Sequence, residues 1–160
     1  MAILHVEDEP SVRNAVRRAL QAYGFAVASV DGVSAAKLAL GERGDIVGAL
    51  LDLRLGDGNG IDFYRWLLEH RPAIARCVAF MTATPDDGAF VGLKGTGCRV
   101  FDKPVDVTEL VALVAEWEGA AADPARVGVS ASSERVRQHE PSYPGARAQS
   151  HDGRSPSSPA

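Results

Sequence analysis

Six consecutive residues without a polar side chain, Ile46-Val47-Gly48-Ala49-Leu50-Leu51, run straight into a carboxylate, Asp52. The run is far too short to cross a bilayer, and a strand apolar on both faces needs a covering layer on each side. That requirement selects a sheet sandwiched between helices, and the rest of the chain supplies the parts. Ile3-Leu4-His5-Val6, Phe25 to Val30, Cys77 to Thr82 and Cys98 to Phe101 read as four further short strands. Between them lie helical patterns. Pro10 opens one whose stripe is Val12, Ala15, Val16, Ala19, Leu20 and Tyr23, closed by Gly24. Val33 to Leu40 and Ile61 to His70 give two more, the latter stopped before Pro72. Asp87 to Leu93 gives a short, glycine-containing one. Asp106-Val107-Thr108-Glu109 starts the last, with Val107, Leu110, Val111, Val114 and Trp117 toward the core. Strands alternating with helices at intervals of about 25 residues predict a doubly wound α/β fold with a parallel sheet.

Composition changes at Gly119. Residues 119–160 hold eight Ser, eight Ala, five Pro and four Gly, and no Leu, Ile, Phe, Met or Trp. Such a segment buries too little apolar surface to offset its ordering entropy, so residues 1–118 are expected to form the domain and 119–160 a disordered tail. The body carries 12 bases against 17 acids. It therefore lacks the basic surplus that phosphate-backbone binding needs, and the tail arginines (Arg126, Arg135, Arg137, Arg147, Arg154) are diluted by acids. Two cysteines, Cys77 and Cys98, form neither a disulfide framework nor a zinc spacing and read as buried free thiols. Acids at Glu7, Asp8 and Glu9 interrupt the amino-terminal apolar segment too early for a secretory signal, so the expectation is a soluble, cytoplasmic protein without membrane insertion.

Working groups of an open parallel sheet collect at the carboxyl ends of its strands. Here those ends read Glu7-Asp8-Glu9, Asp52, Thr82-Ala83 and Lys103-Pro104. Crowded carboxylates repel unless a cation sits among them, and Glu7, Asp8 and Asp52 offer the hard oxygens that suit Mg²⁺. Metal, lysine and hydroxyl together are what the equatorial oxygens of a phosphoryl group require. Asp52 then has the chemistry of a carboxylate nucleophile. Blander readings hold elsewhere: Glu9, Asp57 and Asp62 as turn or cap residues, His5 as a core histidine, Trp66 and Trp117 as packing residues.

At these residues the sequence resembles the receiver domain of two-component response regulators, the fold of the chemotaxis regulator CheY. The matching pieces are Ile3-Leu4-His5-Val6-Glu7-Asp8-Glu9-Pro10, Leu50-Leu51-Asp52-Leu53-Arg54-Leu55 with Gly60, Met81-Thr82-Ala83 and Asp102-Lys103-Pro104. The resemblance implies five parallel strands in the order 2-1-3-4-5 flanked by five helices. It makes Asp52 the phosphoacceptor in a Mg²⁺-dependent phosphorelay. Glu7 and Asp8 hold the metal with Asp52 and the backbone carbonyl of Arg54. Thr82 contacts the phosphoryl group and reorients, Ala83 leaves it room, and Lys103 pairs with phosphate ahead of a cis bond to Pro104. The donor is a phosphohistidine on a histidine kinase or phosphotransfer protein, and output is by protein contact from a monomer or weak dimer, without direct nucleic-acid binding.

Two positions depart from the family pattern. Val100 stands where an aromatic usually precedes the lysine by three residues, and the pattern from Thr96 to Pro104 more closely resembles receivers associated with hybrid sensor kinases; Gly56 replaces the usual proline after Leu55. Val100 keeps a second reading open, a receiver-fold interaction module that switches without phosphorylation. Turnover on free substrates is not expected, because Arg54 occupies the position where aspartyl-phosphate hydrolases of the haloacid dehalogenase type carry a second aspartate.

Overall fold

The structure, a computed structural model, describes residues 1–83, 93 and 96–122. Strands β1 (Ala2–Val6), β2 (Ala26–Val30) and β3 (Ile46–Asp52) alternate with helices α1 (Pro10–Ala22) and α2 (Val33–Glu42). After β3 the chain forms a small hairpin, β4 (Arg54–Leu55) and β5 (Gly58–Asn59), and then α3 (Gly60–His70) and a short α4 (Pro72–Ala75). Strands β6 (Val78–Thr82) and β7 (Arg99–Asp102) and helix α5 (Val107–Ala122) complete the described chain. The main sheet runs β2-β1-β3-β6-β7, every neighbouring pair parallel. With the hairpin set aside, this is the order 2-1-3-4-5 that the resemblance implied.

Period-two alternation divides the core. Leu4, Val6, Leu51 and Phe80 point to the face covered by Leu40, Phe63 and Leu67. Ile3, Leu50 and Met81 point to the other, covered by Leu20, Leu110, Val114 and Trp117. Gly48 makes the second contact possible. A Cβ there would lie 2.5 Å from the Trp117 ring and 2.8 Å from the Cys77 carbonyl oxygen, so only a hydrogen lets α5 lie this close to β3.

Several expectations are corrected. Tyr23 is 60% exposed: α1 ends at Ala22, and Tyr23 leaves the helical stripe at the C-cap. Val107 is exposed and lines a groove of about 230 Å³ between α1 and α5 instead of the core. The thiols of Cys77 and Cys98 are free but only half buried. Leu53 to Gly60, whose three glycines predict a loop, instead contain a paired hairpin. Pro72, expected only to stop a helix, also starts α4 from its first position. Helix α5 continues through Gly119 to Ala122, past the compositional boundary. The helix expected over Asp87–Leu93 lies outside the described residues except for Leu93, which is buried.

Candidate functional site

Strand order reverses direction at the β1–β3 pair, and that reversal opens a crevice beyond the strands' carboxyl ends. Val6 and Leu51 are partners in the register, so Glu7 and Asp52 emerge side by side. One carboxylate oxygen from each of Glu7, Asp8 and Asp52 falls within a 4.8 Å cluster. The three differ in environment. Glu7 is 1% exposed and Asp52 is 8% exposed, whereas Asp8 faces solvent.

Three hydrogen bonds hold the turn after β1. The Arg13 guanidinium, one helical turn into α1, donates to the carbonyl oxygens of Glu7 (2.8 Å) and Asp8 (3.0 Å). The Glu9 amide points at Glu7 Oε1 at 3.4 Å. Arg13 was not singled out from sequence, since an arginine six residues beyond an acid looks like any exposed helix position. Asp52 is fixed from its own side by the Arg54 amide, which donates to Oδ1 at 3.1 Å. A Cβ on Gly60 would lie 2.1 Å from the Asp52 carbonyl oxygen, so α3 can start beside Asp52 only with glycine in that place.

From the far side of the pocket comes Lys103. Its amide donates to the Thr82 carbonyl oxygen at 2.7 Å, which ties the end of β7 to the end of β6, and a cis bond follows to Pro104. Its ammonium donates to Glu7 Oε2 at 2.5 Å and Asp52 Oδ2 at 2.6 Å. Burial pushes the Glu7 carboxyl above its ordinary value, and the Lys103 hydrogen bond only partly opposes this. Burial works against the Lys103 charge too, but the hydrogen bonds to Asp52 and Glu7 outweigh it and hold the ammonium protonated. The pocket is thus a buried acid pair bridged by one cation, with a third acid at the rim. Thr82 is buried at the end of β6, one residue beyond the Asp52–Met81 register pair, and Ala83 next to it is exposed.

The arrangement can gather cations and, once they are present, anions. Hard oxygens from three carboxylates fit a divalent metal such as Mg²⁺, and three acids around one lysine leave room for a second cation among them. Val100 is half buried against the cluster that holds Tyr64 and Phe80, the two rings meeting edge to face at 5.8 Å. Burial and a hydrogen bond to Cys98 push the Tyr64 hydroxyl up to about 12.

The sequence model of the response regulator receiver domain matches residues 3–115. The chain belongs to that family. It is a receiver domain of two-component signalling. The receiver is 31% identical over 137 residues to the photosynthetic apparatus regulatory protein RegA of Rhodobacter capsulatus, covering 85% of this chain and 72% of that one. A response regulator receiver protein from Pseudomonas putida superposes with a TM-score of 0.65 at 27% identity, over 72% of this chain and 95% of the other. A CheY-like receiver from Methanospirillum hungatei shares the fold at a TM-score of 0.64 and 21% identity, covering 72% of this chain and 90% of its own. No helix among the described residues is long and apolar enough to cross a membrane.

Proposed function

We propose that this receiver accepts a phosphoryl group from a phosphohistidine donor onto Asp52 in a Mg²⁺-dependent relay, and signals by protein contact. The observation that carries the reading is the Lys103 ammonium 2.6 Å from Asp52 Oδ2 inside the three-acid cluster. A carboxylate held there has a cation on one side and oxygen ligands for a second cation on the other. Glu7, Asp8, Asp52 and the Arg54 backbone carbonyl would hold Mg²⁺, which supplies charge neutralisation to the transferring phosphoryl oxygens when bound.

In the transfer an Asp52 carboxylate oxygen attacks phosphorus. The P–N bond to the donor imidazole breaks, and the imidazole nitrogen keeps the electron pair and takes a proton from solvent. Lys103 exchanges its Asp52 oxygen for a phosphoryl oxygen, and keeps Glu7. The Thr82 hydroxyl donates to the same group, Ala83 leaves it space, and Pro104 sets the direction of the lysine. Phosphorylated Asp52 thereby biases the surface beyond β6 and β7, which a partner reads. The donor is a histidine kinase or phosphotransfer protein, and the reading includes no turnover of free substrates.

Intact mass after treatment with acetyl phosphate and Mg²⁺ tests this. The wild-type chain should gain one phosphoryl group, about 80 Da, and Asp52→Asn should gain none. Retained labelling in the variant would overturn the assignment of Asp52.

A further inference from the structure

The hairpin that follows Asp52 is anchored at a place the pocket chemistry does not explain. Its tip residue Asp57 accepts hydrogen bonds from the backbone amides of Val33 (2.8 Å) and Ser34 (2.9 Å), the first residues of α2. A carboxylate at a helix amino terminus satisfies otherwise unpaired donors and favours the helix dipole. Here the cap comes from 24 residues away instead of from the residue before the helix. That residue is Gly32, which has no side chain to do it, and a Cβ there would lie 2.3 Å from Asp57 Oδ1. Gly32 and Asp57 therefore form a matched pair: glycine vacates the cap position and aspartate fills it from another element. The two amides hold the Asp57 carboxyl below the ordinary carboxylate range.

Two other residues of the hairpin, Arg54 and Gly56, lie at the acid pocket. The hairpin's first strand begins at Arg54, whose amide holds Asp52 Oδ1. Gly56, adjacent to Asp57, is so close to the acids that a Cβ on it would lie 3.7 Å from Asp8 Oδ2. The other end is pinned by the Gly60 amide to the Leu53 carbonyl oxygen (3.0 Å) and by Asn59, whose Oδ1 caps α3 through the Ile61 amide (2.7 Å). A two-residue ladder has little stability of its own, and glycine at 56 adds unfolded-chain freedom that a proline would remove. The tip needs an outside anchor.

We propose that Asp57 is a positioning residue for the acid pocket: by capping α2 from the hairpin tip, it holds the Arg54 backbone and the Asp8 side of the pocket in place for a divalent cation. This rests on the Mg²⁺ reading above. Partners one layer behind metal ligands set affinity by fixing ligand direction.

The test compares wild type, Asp57→Ala and the double variant Gly32→Asn/Asp57→Ala, each as the full chain. Mg²⁺ affinity is measured by titration calorimetry, and amide exchange is followed at Val33 and Ser34 without metal. In the double variant the introduced asparagine caps α2 locally, in the space the Asp57 carboxylate has left. Asp57→Ala should bind Mg²⁺ about tenfold more weakly and lose protection at both amides. The double variant should regain that protection while Mg²⁺ binding stays weak, because the helix is capped but the hairpin is loose. Unchanged affinity in Asp57→Ala, or affinity restored in the double variant, would reduce Asp57 to a helix cap and overturn the proposal. A wild-type chain that takes up no Mg²⁺ would instead overturn the magnesium reading of the pocket, and the tether's purpose with it.

Discussion

Glu7 is the most deeply buried acid of the pocket, and Lys103, itself only 14% exposed, is the counter-charge in contact with it. Removing one partner of a buried pair leaves an uncompensated charge, so Lys103→Met should cost the metal-free chain about 3 kcal/mol at neutral pH. Burial already holds Glu7 above its ordinary value, so without Lys103 its folded form binds a proton that the unfolded form has released. Stability of the variant should therefore rise as pH falls from 8 to 5, and Mg²⁺ should raise it more than in wild type. Urea unfolding in EDTA at both pH values checks this, and a variant as stable as wild type at pH 8 would remove the pair from the account. His5 gives the opposite slope. Its ring is fully buried, Nδ1 meets Ser29 Oγ at 3.2 Å, and Nε2 has no hydrogen-bond partner among the described residues. Burial, with the charges of Lys103 and Arg13, lowers it from 6.5 to about 4. The folded state thus binds fewer protons than the unfolded one between those values. Stability from this group is complete above pH 6.5 and is lost as pH falls toward 4, by about 3 kcal/mol at about 1.4 kcal/mol for each pH unit between the two values. His5→Leu should flatten that part of the profile in EDTA, and an unchanged slope would place the acid sensitivity elsewhere.

Between elements, close approach decides what sequence patterns leave open. Gly48→Ala should push the Trp117 ring off β3 and cost about 1–3 kcal/mol, seen as a lower urea midpoint with an unchanged slope; a neutral result would mean α5 does not rest on β3 through this contact. The central strands of the main sheet were legible as short apolar runs between glycine, proline or charge, and Glu7 and Asp52 followed from where β1 and β3 stop. The β4–β5 hairpin was not legible. Arg54-Leu55 and Gly58-Asn59 are two residues each, too short for periodicity, and their pairing depends on anchors at Asp57 and Gly60 that lie in other elements' space. Its glycine-rich surroundings mark Asp57 as a turn or cap residue, but a cap across 24 residues carries no local signal that names the helix. Arg13 escaped for the same reason, since its partners are the carbonyl oxygens of Glu7 and Asp8 and no side-chain pattern announces a backbone acceptor.

At the scale of the whole chain, the amino-terminal three-quarters accounts for everything the pocket needs. Glu7, Asp8, Asp52, Thr82 and Lys103 come from β1, β3, β6 and β7 or the residues just beyond them, and α5 closes the second core with Leu110, Leu113, Val114 and Trp117. The composition boundary at Gly119 falls inside α5, because Gly119 and the alanines after it extend a helix already nucleated by packing at Trp117. Alanine is the best helix former, and one glycine near a carboxyl end costs only about 1 kcal/mol. The working unit we propose therefore ends at Ala122, slightly later than composition alone placed it. Residues 123–160 contain no Leu, Ile, Phe, Met or Trp, so they have little apolar surface to contribute to either core. A chain truncated after Ala122 should keep the melting temperature of the full chain and its Mg²⁺-dependent mass gain from acetyl phosphate. A chain truncated after Trp117 should melt lower, because the last carbonyls of α5 that Gly119 to Ala122 satisfy would open beside the core. Thermal melts of the three lengths, with phosphate lifetime followed by mass, decide it. A drop in melting temperature or an altered lifetime on removing 123–160 alone would show that the tail packs on the receiver and regulates it.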